Sequence, residues 1–304
     1  MKLWPTYLLS LITLIASAQQ FDNAIARVNY SYTHIRDTNN RANLYQEQML
    51  LVVGKNASIY TSFDKIAYLK ERANYIKEQN KINGGPIQNL RLTGSRKPTT
   101  GFDIYFFAKE KEFHFVELLM ANNYVVKDTA TQIDWRITQD TTNFLGIHCR
   151  KASANFKGRN WTAWYSTEIP LVSGPWKLNG LPGLIVSAYD EKHEIEFKLE
   201  ELTQVTPENI DESEEKIPLG TGSMIASYRQ YYGGIIQMPQ AIKTTKAEMI
   251  RLKQAITANP EAVMNSMLAG QGSIKKQSSG TGTTVQKQNT YNNPIELPEK
   301  KKLN

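Results

Sequence analysis

Glu194-Ile195-Glu196-Phe197-Lys198-Leu199-Glu200 alternates charged and apolar residues without a break. Successive side chains of an extended chain point to opposite faces, so Ile195, Phe197 and Leu199 share one side and the charges the other. That is the pattern of an antiparallel strand with one face buried and one in water. A helical period would spread the same residues around an axis and bury none of them well. The period of two extends from Ile25 to about Leu202. Val28, Tyr30 and Tyr32 alternate with Asn29, Ser31 and Thr33, and the apolar run Met49 to Val53 stops at Gly54-Lys55-Asn56, after which Ser58 to Ser62 reads as the next strand. Phe102 to Phe107 and Phe113 to Val116 flank the charged Lys109-Glu110-Lys111-Glu112, which predicts a hairpin with an exposed tip. Ile133, Trp135 and Ile137 are expected on one face of a further strand.

Helical signals are few. Phe63 to Gln79 lacks Gly and Pro and carries Ile66, Leu69, Ala73 and Ile76 at helical spacing. Thr245 and Glu248 form a capping-box pair ahead of a helix to about Ala258, and Asn259-Pro260 opens a second one ending near Gly270. The fold class predicted is mainly β (α+β): a curved antiparallel sheet or partial barrel with C-terminal helices. Its expected divisions are a β body over 19–205, an acidic and Gly/Tyr-rich connection over 206–240, two short helices over 241–270, a disordered linker over 271–290 and a basic tail over 291–304. Lys81 to Gly101 is expected to be a mobile loop. The tail segment Asn293 to Pro298 fits an extended edge strand, its prolines excluding a central position.

Residues 1–18 pair a basic start with an apolar core from Leu8 to Ile15 and end in Ala16-Ser17-Ala18, which predicts a secretory signal peptide and an exported chain, periplasmic or extracellular. The apolar core is too short to span a bilayer, which takes about 20 residues. The formal charge of +7 sits largely outside the β body: residues 271–304 hold six Lys and two Glu, while residues 190–215 hold eleven carboxylates and two lysines. A mixed, solvated surface on an exported chain argues against nucleic acid as a partner. Cys149 is the single cysteine, so no internal disulfide forms and stability must come from burial.

The other conspicuous stretch is Gly174-Pro175-Trp176-Lys177-Leu178-Asn179-Gly180-Leu181-Pro182-Gly183-Leu184-Ile185. Gly180 and Gly183 permit positive φ or a close backbone approach, and Pro182 fixes φ, so the stretch reads as a tight turn feeding a buried strand. Gly-Pro-Trp followed by Gly-Leu-Pro-Gly-Leu-Ile resembles the signature of the GLPGLI family, exported proteins of Bacteroidetes-type bacteria. The resemblance extends to Cys149-Arg150-Lys151-Ala152, to Gly158-Arg159, Ala163-Trp164-Tyr165 and Ile169-Pro170, to Leu51-Val52-Val53-Gly54 with Ser58, Tyr60 and Ser62, and to Asn293-Pro294-Ile295-Glu296. It implies an exported, mainly β protein and carries no assigned activity. A lipoprotein-carrier-like sheet suits the strand order by fold-level analogy.

Catalytic motifs are missing from the sequence: it has no Gly-x-Ser-x-Gly elbow, no His-Glu-x-x-His pair, no phosphate-binding glycine loop and no Cys-x-x-Cys. No cofactor is expected. Arg159 with Trp161, Trp164 and Tyr165 is the candidate ligand-binding set, since aromatics on a concave sheet contact sugar or lipid while a guanidinium orients an anion. Alternation puts Trp161 and Tyr165 on one face and Trp164 on the other. His148 and Cys149 are the candidate metal ligands, for copper or zinc, with His114 or methionines as further ligands. Asp190, Glu191 and Asp134 are the carboxylates a hydrolase would use on peptide or glycan. The leading expectation is a non-catalytic envelope protein that binds a small apolar ligand, a peptide or an envelope partner.

Overall fold

The computed structural model describes residues 21–85, 97–120, 122–210, 231–269 and 291–298. The signal peptide, the disordered linker and the extreme tail expected from the sequence lie outside the described residues, as do 86–96 of the expected mobile loop and 211–230 of the acidic connection.

Among the described residues, thirteen strands form one sheet. In chain order they are β1 (Phe21–His34), β2 (Tyr45–Gly54), β3 (Ala57–Ser62), β4 (Phe102–Phe107), β5 (Glu112–Leu119), β6 (Asn122–Thr129), β7 (Arg136–Phe144), β8 (Ile147–Phe156), β9 (Arg159–Ser166), β10 (Leu184–Asp190), β11 (Ile195–Gln204), β12 (Ile235–Gln237) and β13 (Ile242–Lys243). The spatial order is β13-β6-β5-β4-β3-β2-β1-β11-β10-β9-β8-β7, with β12 added to the start of β1. All pairs are antiparallel except β13 on β6. β1 is the hinge of the topology. The chain meanders outward from it to β6, crosses to β7 at the far edge, and meanders back until β11 closes on the other side of β1.

That crossing bends the sheet. Ten strand spacings separate β6 from β7 in the order, about 48 Å if the sheet were flat. The connection from Thr129 to Arg136 reaches at most about 25 Å when fully extended. The sheet therefore curls around one face into an open, partial barrel whose edge strands do not pair. A mainly β fold with a large open sheet and helices toward the C-terminus is the class the alternation pattern predicts.

Two apolar clusters lie on the two faces. The larger fills the inner face with Val28, Tyr30, Tyr32, Met49, Leu51, Trp161, Tyr165, Leu184 and Phe197 among others. The smaller, on the outer face, gathers Leu50, Val52, Ile59, Ile66, Tyr105 and Tyr231 beneath α1 (Phe63–Ile82). Met49 to Val53 is unbroken apolar sequence because this strand is covered on both sides. In β11 Ile195, Phe197 and Leu199 are buried and Lys198 and Glu200 exposed, as the opening alternation requires. The hairpin of β4 and β5 pairs Phe107 with Glu112 around its charged tip. α1 is capped by Ser62, whose side chain accepts from Lys65 N at 2.9 Å, and it buries Ile66 and Ala73 from the predicted stripe. α2 (Lys246–Ala258) carries the predicted Thr245–Glu248 capping box, and α3 (Pro260–Ala269) follows at once.

Four local expectations are corrected. Ile133 and Trp135 do not lie on a strand. A tight turn, Trp135 N to Ile133 O at 3.0 Å, interrupts the extended chain in the crossover, and Ile137 is largely exposed. The part of the expected connection from 231 on belongs to the β body, because β12 pairs with β1 and Tyr231 is buried on the outer face. Residues 291–298 dock on the body as an irregular strap rather than an edge strand. Glu194 is buried rather than solvated, since it belongs to the polar cluster that holds that strap.

Candidate functional site

The conspicuous glycine and proline stretch builds one wall of the site. Pro175 O accepts from Leu178 N at 3.0 Å, closing a turn that places Trp176 at φ 56°. Gly183 has φ 147°, and a Cβ there would sit 1.9 Å from Ser166 O. Only glycine lets this corner lie against the end of β9, so the motif ties the turn to the sheet before Leu184 and Ile185 enter the core. Gly174 is similarly closed in, with a Cβ position 2.6 Å from Leu178 O. The Trp176 ring joins Phe156 (5.8 Å) and Trp161 (5.7 Å), and Trp161 stacks on Phe197 (6.2 Å), which stacks on Tyr32 (5.0 Å).

Lys177, which the sequence reading passed over, is buried at 2% exposure. Its Nζ donates to Asp128 Oδ2 and to Glu296 Oε1, both at 2.6 Å, and lies 4.7 Å from the centre of the Phe115 ring. Burial opposes ionisation of Asp128, yet the Lys177 hydrogen bond and charge outweigh it and hold the carboxyl below its usual range. A buried ammonium persists only with such partners.

Arg159 performs the matching task at the other end of the strap. Nη1 donates to Asp190 Oδ2 (2.8 Å), Nε to Ile295 O (2.9 Å), and Nη2 to Asn293 Oδ1 and Pro294 O (both 2.6 Å). Asp190 Oδ1 accepts from the backbone of Glu194 and Ile195. Asn293 Nδ2 donates to Ile35 O and Glu194 Oε2, and Arg41 donates to the other oxygen of Glu194. Burial would raise the Glu194 carboxyl, but hydrogen bonding and charge from Arg41, with the Asn293 amide, bring it below the ordinary range. Leu297 N donates to Lys157 O at the β8–β9 turn, and a Cβ at Gly158 would strike Leu297 O at 2.5 Å.

Between strap and sheet lies a cleft of about 900 Å³. Its floor is the inner face of β1 to β4, with Tyr32, His34, Met49, Tyr60, Phe102 and Ile104. Phe197 and Trp176 form one side, Tyr291, Asn293, Pro294 and Ile295 of the strap another, and Thr99, Thr100, Glu117 and Lys253 the rim. Two buried polar atoms of this lining have no hydrogen-bond partner among the described residues: Tyr60 Oη and His34 Nε2. Their residues are 6% and 4% exposed. Burial is the main cause that lowers the His34 imidazole to about 4, reinforced by the charges of Arg36 and Arg159, so it is neutral at pH 7. Its Nδ1 is 2.9 Å from the Tyr32 hydroxyl. Glu117 is paired with Lys253 at 2.5 Å.

The predicted site residues are not one site. Trp161 and Tyr165 are core, at 1% and 0% exposure, and Trp164 lies on the opposite face beside Lys151. Arg159 grips the strap and has no spare edge for a ligand. The set failed because one face of β9 is core and the aromatics there were needed for packing. Cys149 is wholly buried and His148 exposed, as neighbours on a strand must be, so the two cannot share a metal. Burial, with a contribution from Glu168, pushes the Cys149 thiol up to about 11. Among the described residues no group of three or more His, Cys, Asp or Glu is placed to hold a metal. Asp190 is buried with both oxygens engaged, while Glu191 and Asp134 are exposed. The structural glycines and prolines, Gly174, Pro175, Gly180, Pro182 and Gly183, sit together in the corner described above, Gly180 at φ 88°.

Residues 120–187 match the family model Porph_ging, described as a protein of unknown function. The Porph_ging match runs from β6 to β10 and so includes the crossover, the β8–β9 hairpin and the whole Gly174–Ile185 corner. No curated protein matches the chain. Two solved structures of PNGF-II, in space groups P21 and C2, are similar with 10% identity and a TM-score of 0.45, over 75% of this chain and 32% of theirs. The chain thus spans less than a third of those structures' length. Among the described residues no helix is long and apolar enough to cross a membrane.

Proposed function

We propose that this chain is an exported, non-catalytic binding protein of the GLPGLI family whose curled sheet holds a small apolar ligand in the cleft beneath the C-terminal strap. The cleft carries the proposal: about 900 Å³ of space with an aromatic and aliphatic lining and two buried polar atoms left without partners. Folded proteins pair nearly all such atoms, because an unsatisfied buried group costs about 1–3 kcal/mol. A site of this volume, mostly apolar with a few convergent polar groups, has the anatomy of a small-molecule pocket. Export rests on the basic and apolar start of the chain and its Ala16-Ser17-Ala18 site.

The test is a thermal-shift screen of the purified protein against apolar metabolites, run beside Gly101→Trp. Gly101 lines the cleft, and a Cβ there would meet only the Glu117 side chain, its Oε1 at 3.3 Å. At least one compound should raise the wild-type midpoint and leave that of Gly101→Trp unchanged. Equal shifts in both proteins, or none in either, would contradict the reading.

A further inference from the structure

Arg36 and Lys253 are the two cations of the cleft lining. Glu117 at the rim is neutralised by Lys253. Arg36 also lines the cleft, with its guanidinium 3.2 Å from the centre of the Tyr45 ring and 5.6 Å from that of Tyr291. No carboxylate among the described residues lies within ion-pair distance of Arg36. Glu47, buried behind Tyr45, has its oxygens filled by the Tyr45 hydroxyl (2.7 Å) and by the backbone N and hydroxyl of Thr100 (2.7 and 2.6 Å). Arg36 is therefore the one cation of the cleft lining with no carboxylate at ion-pair distance among the described residues.

The unpartnered atoms lie in the same lining. The Tyr32 hydroxyl lies 2.9 Å from His34 Nδ1 and accepts from the Arg36 guanidinium, so its own proton points to Nδ1 and the neutral imidazole carries its proton on Nε2. The Asn293 backbone lies within reach of this ring and favours its protonated form, while Nε2 has no well-aligned partner among the described residues. Tyr60 Oη has no acceptor for its proton among the described residues. A guanidinium, a phenol O–H and an imidazole N–H are all donors. The remaining lining, Met49, Phe102, Ile104, Phe197, Trp176 and Ile295, is apolar.

We infer that the ligand is an apolar monocarboxylate, its carboxylate held by Arg36 with the Tyr60 hydroxyl and the His34 N–H, and its apolar body laid along Phe102, Ile104 and Trp176. This rests on the binding function proposed above and narrows it to a ligand class. One guanidinium matches one negative charge, and hydrogen bonds between a charged group and buried donors are the stronger kind. A phosphate dianion would need a second cation, and the cleft's other one is already paired.

The probes are dodecanoate and dodecanol, alike in chain and different in head group, titrated at pH 7.5 into the full-length protein with tryptophan emission as the readout, Trp176 being in the lining. Dodecanoate should bind at least tenfold more tightly than dodecanol. Arg36→Gln should bring that ratio within about twofold, and Tyr60→Phe should lower it severalfold. Circular dichroism and thermal midpoints identify any variant that fails to fold, and Arg36→Lys, which keeps the charge, should retain part of the preference. Equal affinity of wild type for the two probes would overturn the acid assignment and leave the cleft as a neutral-ligand site. An acid preference that survives Arg36→Gln would remove Arg36 from the site. Binding of neither probe would overturn the acid assignment, and the metabolite screen then decides separately whether the cleft binds anything.

Discussion

Two single residues carry consequences out of proportion to their size. Gly183 is the point where the corner touches β9, and any Cβ would enter the Ser166 carbonyl. Gly183→Val should therefore cost more than about 4 kcal/mol, the range reserved for backbone clash and core disruption. Loss of soluble yield, or a sharp fall in the urea midpoint, is the expected result; a fully stable variant would show that the corner is not fixed there. His34 makes a pH prediction. Its folded value near 4 lies below the unfolded value near 6.5, so between those limits the unfolded chain takes up a proton that the folded chain refuses. Stability is complete above about pH 6.5 and declines as the pH falls, by about 2 kcal/mol at pH 5. Urea unfolding of wild type and His34→Gln at pH 7 and pH 5 should show a smaller drop in the variant. Equal drops would mean that His34 is not held neutral.

The strap is the element whose behaviour follows most directly from its contacts. Arg159 supplies three of its hydrogen bonds, Lys177 a fourth through Glu296, and Asn293 and Leu297 bind the body through their own groups. Arg159→Ala removes its three at once and leaves Asp190 buried without its cation, the situation that typically costs about 3–5 kcal/mol. In hydrogen exchange, the amides of Asn293 and Leu297 should speed up by more than tenfold in Arg159→Ala, with those of β2 and β3 less affected; unchanged protection at Leu297 would mean that Arg159 does not hold the strap. Lowered carboxyls at Asp128 and Glu194 add a pH term: their contribution is whole above the usual carboxylate range and is lost as the pH drops through their lower folded values. Much of the element scale was legible. The alternation in β11, the β4–β5 hairpin, α1 and the Thr245–Glu248 cap are local patterns, and local patterns survive folding. What failed was local pattern without partner knowledge, as in the crossover around Trp135, whose indole N–H is held by Asn179 O, 44 residues away.

At the scale of the molecule, the candidate site was hardly legible. Arg36, Tyr60 and Trp176 meet only because β1 closes on both β2 and β11 and the corner at Gly183 turns the chain back under the strap. Lys177 looked like an ordinary polar residue in a motif, since nothing local says that Asp128 and Glu296 will reach it. Arg159 was conspicuous beside its aromatics, but the same residues on a core-facing register serve packing and anchoring instead. One signal was present: the inward positions of β1 and its neighbours, Tyr30, Tyr32, His34, Tyr45 and Tyr60, place polar atoms within an apolar face, and such atoms call for partners.

The central claim is that the cleft holds a ligand. Native mass spectrometry of the protein purified from the cells that produce it tests this most directly. The account predicts a discrete added mass on the wild-type protein, released on denaturation and reduced in Gly101→Trp and Arg36→Gln. Apo protein alone in every preparation, or an added mass retained equally by both variants, would contradict it.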